Sequence, residues 1–285
     1  MKKGKKPKRR RRRQEEPHVS SQHVPSNDEL KAKLNELRWG KSKLSNLIDM
    51  AHKNTLISYV LLNSHFNLLE NTLEIFEKSQ NLISVSNPNE MIVASFLTRA
   101  HSNFVASVRL GTSGQLTESY ALLRLCLENT LYAFYMHKVP TSLRIWDSRQ
   151  TSEKDRKLCR STFKIIEMIK ELKKENPQIA DSAKHLYDKC IDYGAHPNLL
   201  GVIMNVTVLG EKILERILNP EDGLMRFCLL LETDVALTTL SIFSLVYPTE
   251  FNRGNIPIMI ENVRKTFFPL AITAAQILRS QASKN

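Results

Sequence analysis

The chain has 285 residues, 42% of them hydrophobic, which is enough apolar material to bury a sizeable core and excludes a polypeptide without one. A formal net charge of +12 suggests a nucleic-acid binder until it is divided: residues 1–16 hold ten Lys/Arg and two Glu and carry +8 of it, leaving +4 on the other 269 residues. The basicity therefore belongs to the run KKGKKPKRRRRR, and the body has an ordinary surface composition.

Residues 1–27 join a charge block to Pro, Ser, Gln and His without apolar periodicity, the composition of a disordered basic tail. Residues 28–285 read as a single helical domain. Ser26-Asn27-Asp28-Glu29 is a helix-start signal. Beyond it Leu44, Leu47, Ile48, Ala51, Leu56 and Val60 recur at three to five residues, a helical period, with Gly40 as a break. Ser86-Asn87-Pro88-Asn89-Glu90 is a second start, with proline in or near the first turn, for a helix running to about Gly111. Gly111-Thr112-Ser113-Gly114 predicts a short turn into a helix over Leu116–Lys138, and so tight a connection makes the two antiparallel neighbours.

Pro140 stops that helix, and TSLRIWDSR follows as a short amphipathic piece. Helices are predicted over Lys154–Lys174 and Ile179–Tyr193. The β-branched stretch GVIMNVTVL and a second apolar run from Ile213 predict a small β-hairpin near 201–218. Helices resume over Glu221–Tyr247 and Ile256–Arg279, the latter with Pro269 as a kink. The most apolar segment, Cys228–Tyr247, is interrupted by Glu232 and Asp234, charges too costly at that depth in a bilayer, so it is predicted as a buried helix and no transmembrane segment is expected. No fixed repeat is visible. The expected fold class is mainly α, an irregular helical bundle with the basic tail in front of it.

Four cysteines, Cys126, Cys159, Cys190 and Cys228, stand more than thirty residues apart, so no metal-ligand spacing exists and a reducing compartment is expected. Glu15, Glu16 and a polar stretch occupy the place of a secretory signal's apolar core. The cytoplasm follows, or a nucleus where the basic tail meets an import receptor. No nucleotide, cofactor or metal motif is complete.

The helix SYALLRLCLENTLYAFYM is apolar nearly all round and should be central. Arg124 and Glu128 are almost its only charges, four apart on one face, and read either as a buried ion pair or as the polar floor of a pocket. Glu232 and Asp234 are on different faces of their helix and cannot serve one acid/base site, though either can be a partner for Arg124. His101 sits on an apolar stripe and reads as a core residue, with Arg99 two positions before it. Trp146 and Arg149 in RIWDSR read as an anchor for a short helix or as a stacking surface for a base.

The stretch IDYGAHPNLL ends a helical run with a histidine before a proline. Proline pushes His196 out of the α region so that it projects from a helix end, Gly194 permits the turn, and Asn198 adds a neutral donor and acceptor. A cap and a site are both consistent with it. Leu122–His137 together with LYDKCIDYGAHPN, Leu186–Asn198, resembles an uncharacterised family of bacterial helical proteins with HEPN-like features. That resemblance implies a helical bundle with Arg124, Glu128, Tyr187 and His196 as matched positions. A HEPN ribonuclease places an arginine before the histidine, where this chain has Lys189, which neutralises a phosphate but lacks the planar fork of arginine.

Two functions follow as expectations. The first is a ligand- or partner-binding module with a polar pocket built from Arg124, Glu128, Tyr187, His196 and Asn198. The second is a metal-independent ribonuclease using His196 as acid/base with Lys189 beside it. The tail, residues 2–13, is expected to contact nucleic acid or a ribosome through phosphates alone, since it has cations and no aromatic residue.

Overall fold

A computed structural model describes residues 26–195, 199–209, 212–220 and 222–282. The basic tail lies outside them. The chain divides into two compact units, the first ending at Asn46 and the second covering Leu47–Asn285.

In the first unit, α1 spans Asn27–Glu36 and starts where the sequence predicts. The Ser26 hydroxyl accepts from the Glu29 amide while the Glu29 carboxylate accepts from the Ser26 amide at 2.7 Å, a reciprocal capping box. Gly40, at φ +79°, lies in the turn between α1 and α2, Lys43–Leu61, which runs on into the second unit.

In the second unit α3 is Asn63–Leu82, α4 Pro88–Ser113 and α5 Leu116–Lys138. The Asn87 side chain caps α4, and Pro88 occupies its first turn, where a missing N–H costs nothing. The predicted turn is shorter than its residues suggested. Gly111 stays helical, because it makes room rather than a bend: a Cβ there would sit 2.4 Å from Glu232 Oε1. Only Gly114, at φ +94°, turns the chain, and its carbonyl accepts from the Asn219 amide at 2.7 Å. The helices α4 and α5 then pack as antiparallel neighbours along their length.

The short α6, Pro140–Asp147, is followed by α7, Glu153–Thr162, and α8, Ile165–Glu175. One helix over Lys154–Lys174 was expected, and the chain breaks it at Phe163. That ring is buried and stacks on Tyr132 at 4.5 Å between centroids, so tertiary packing overrides helix propensity. Next come α9, Pro177–Cys190, a π-type turn over Ile191–Ala195 and the short α10, Leu199–Ile203. Gly194 is there for close approach: a Cβ would lie 2.7 Å from the Thr117 carbonyl oxygen. The predicted hairpin is present as β1, Val206–Leu209, antiparallel to β2, Lys212–Glu215, with Val206 opposite Glu215.

The chain closes with α11, Asp222–Val246, α12, Pro248–Arg253, which the sequence reading did not separate, and α13, Ile256–Ala282, which contains Pro269. By length and composition α11 could cross a membrane, but 83% of its most apolar window is covered by protein. It packs on α3, α4, α5, α9 and α13. The molecule is a mainly-α bundle whose core is centred on α5 and α11.

Candidate functional site

Helix α5 carries Arg124 and Glu128 on the edge that meets Tyr187 of α9. Arg124 Nε donates to Glu128 Oε1 at 2.8 Å, with the two side chains 26% and 24% exposed. Tyr187 is fixed on α9 by its neighbours Leu186 and Cys190, both in the core. Its hydroxyl donates to the same Glu128 oxygen at 3.1 Å, and the Arg124 guanidinium lies 5.5 Å from the centre of its ring. Burial works against the Arg124 charge, yet Glu128 and Tyr187 outweigh it and hold the guanidinium above its ordinary pKa. Burial, then Glu128, raises the Tyr187 phenol. Three of the predicted positions thus meet. Of the others, His196 and Asn198 lie outside the described residues. Lys189 is half-buried with its ammonium 5.9 Å from the centre of the Phe227 ring.

Glu128 also faces a cavity of about 540 Å³ between α4, α5 and α6. From α5 come Leu125, Glu128, Asn129 and Tyr132, and from α4 Ile92, Ser95, Phe96 and Arg99, each set at i, i+3, i+4 and i+7 along its helix. Trp146 and Arg149 close the far side. Arg99 Nε donates to Asn129 Oδ1 at 3.3 Å, and Asn129 is itself oriented by a bond to the Leu125 carbonyl. The Arg149 guanidinium lies 3.8 Å from the centre of the Trp146 indole, and its Nη1 donates to the Trp146 carbonyl at 2.7 Å. Phe96 meets the same indole edge-on at 5.7 Å. Glu128 Oε2 accepts no hydrogen bond from the described residues, while Oε1 takes both of the bonds above.

The remaining expectations resolve as packing. His101, half-buried, stacks on Phe76 with an interplanar angle of 2° and bonds Gln80 through Nδ1, a packing role at the edge of the core. Neither acidic residue of α11 stands in for Glu128 beside Arg124. Glu232 is fully buried against Gly111, and its Oε1 accepts from Cys228 Sγ at 3.7 Å. Burial pushes its carboxyl up to about 8, so it is a neutral acid at neutral pH. The charges around Asp234 are Arg264, Lys189 and His185, which lower its pKa against a larger rise from burial.

Sequence reasoning missed Asn129, Tyr132, Ser95 and Phe96 as site residues. Their spacing on two helices joined by a tight turn was the available signal, but nothing in it separates a cavity from a packed seam. No protein-family model, curated protein or solved structure matches this chain. The class that the fold and the cavity define is a helical bundle with a mixed polar and aromatic pocket on its central helix.

Proposed function

We propose that the chain is a ligand- or partner-binding module, cytoplasmic, whose small-molecule site is the cavity bounded by Glu128, Arg99 and Trp146. One observation carries this reading. The volume of about 540 Å³ falls in the range of ligand pockets, and it collects two arginines, a carboxylate oxygen with no described partner and three aromatic rings. The Arg124–Glu128–Tyr187 triad supports it by fixing the carboxylate. Four buried free thiols agree with a reducing compartment.

A thermal-shift screen over nucleotides, organic acids and amines tests the proposal: a ligand that raises the melting temperature of the wild type should lose its effect on Ser95→Trp, which fills the cavity from an exposed position. If no compound stabilises the wild type, or if Ser95→Trp responds equally, the cavity is not the site. The HEPN-like ribonuclease has no such observation behind it, and its test is RNA cleavage that His196→Ala abolishes.

The tail provides a second, independent contact surface. Ten cations within residues 2–13 bind phosphates without stacking on bases, so nucleic acid or a ribosome is the expected partner. Binding to duplex DNA should weaken with a log–log salt slope of about −0.9 per phosphate contacted. A chain beginning at Ser26, which keeps the cap of α1, should lose binding and keep its melting temperature. Equal affinity without the tail would remove it as the binding element.

A further inference from the structure

Resting on the cavity reading above, the geometry points to a ligand class: we infer that the site takes a planar aromatic anion bearing an amino group on or near its ring. Charge comes first. Arg99 and Arg149 both line the cavity, whereas the carboxylate of Glu128 is already paired with Arg124. An anionic ligand is therefore favoured over a cation or a neutral molecule. Arg99 spends only Nε on Asn129, at 3.3 Å, so its two terminal nitrogens have no hydrogen-bond partner among the described residues and present the fork that a carboxylate or phosphate accepts from.

The walls select for flatness. Trp146 and Tyr132 are each braced before any ligand arrives, Trp146 by the Arg149 guanidinium at 3.8 Å and Tyr132 by the Phe163 ring at 4.5 Å with a 13° interplanar angle, and Phe96 lies against both at 5.7 and 6.1 Å. Rings fixed in this way offer stacking area at little entropic cost. The amino group answers to Glu128. Its Oε2 is the acceptor left over when Oε1 has taken the Arg124 and Tyr187 bonds, and an acceptor with a fixed partner oxygen favours a ligand N–H. Aromatic amino acids, aminobenzoates and nucleotides share this chemistry, and they differ in whether the anion is a carboxylate or a phosphate.

The chain has two tryptophans, Trp39 and Trp146, so Trp39→Phe leaves the cavity indole as the only one. In that chain, 2-aminobenzoate and 4-aminobenzoate are titrated against Trp146 emission, beside benzoate, which lacks the amine, and aniline, which lacks the anion. Saturable quenching is expected from at least one aminobenzoate, with benzoate and aniline each at least tenfold weaker. Arg99→Ala, at an exposed position, should weaken the aminobenzoate at least tenfold and leave aniline unchanged, and Glu128→Gln should erase the preference for the aminobenzoate over benzoate. Adenosine monophosphate forms the phosphate arm: tighter binding than the carboxylates assigns the anion as a phosphate, and weaker binding assigns it as a carboxylate.

Equal affinities across the four benzene derivatives, or an Arg99→Ala variant that binds the aminobenzoate as before, overturn the inference. Anilinonaphthalene sulfonate separates the two levels of the reading. If it quenches Trp146 saturably while no aminobenzoate or nucleotide binds or displaces it, the cavity stands and the ligand class fails. If none of these compounds alters Trp146 emission, both fail.

Discussion

Replacing Glu232 by glutamine turns a buried titration into a stability measurement. Burial raises this carboxyl from an ordinary 4.5 to about 8, and Cys228 is its only hydrogen-bond donor among the described residues. A raised carboxyl pKa means that the folded state keeps a proton which the unfolded chain releases. The contribution of this carboxyl to stability is therefore full below pH 4.5 and drains away as pH rises through about 8. The whole shift corresponds to roughly 5 kcal/mol, of which roughly 1.5 kcal/mol falls between pH 6.5 and pH 8. Histidines whose pKa is lowered in the folded chain, His65 above all, titrate from the lower edge of that window, but they are common to both proteins and cancel in the difference.

Urea denaturation of wild type and Glu232→Gln across the window measures the effect. Buried thiols such as Cys126 and Cys190, pushed up to about 12, also make stability fall with pH as the unfolded chain begins to ionise. They contribute equally to both proteins and cancel in the difference. The amide adds N–H groups beside Gly111 and Cys228, a cost that does not vary with pH. The expected result is a stability gap that moves in favour of the glutamine variant by roughly 1.5 kcal/mol from pH 6.5 to pH 8. Parallel curves would refute the argument that the carboxyl is held neutral by burial.

His65 provides the opposite sign. Burial, helped by Arg226 and opposed by Asp222, lowers it from 6.5 to about 4, and neither ring nitrogen has a hydrogen-bond partner among the described residues. The contribution of His65 should be full above pH 6.5 and decline by up to about 3 kcal/mol as pH falls towards 4, and His65→Phe should flatten that part of the curve in the same denaturation assay. Gly111→Ala places a Cβ 2.4 Å from Glu232 Oε1 and 3.1 Å from Cys228 Sγ. It should cost about 2 kcal/mol by thermal unfolding, and most of that cost should vanish in a Glu232→Ala background, where the obstacle is gone. For Arg124 and Glu128, about a quarter exposed, a double-mutant cycle to alanine should give a coupling energy of about 1 kcal/mol, reduced at high salt.

Sequence alone determined most of the local structure. Ser26 with Glu29, Asn87 with Pro88, and Gly114 mark helix ends because capping and left-handed turns depend on residues within one turn of the chain. The i,i+4 spacing of Arg124 and Glu128 likewise fixed their pairing, since both stand on one helix face. Tertiary structure decided what depended on partners distant in sequence. Phe163 ends a helix that its own segment would continue, because stacking on Tyr132 outweighs local propensity. Gly111 resembled a turn glycine and is instead a space for Glu232, a residue 121 positions away. The same holds for the cavity. Arg99, Glu128, Trp146 and Arg149 were each legible as polar or aromatic residues on helices, but whether two helical stripes meet in a packed seam or leave room for a ligand depends on side-chain volumes across the interface, which no periodicity encodes.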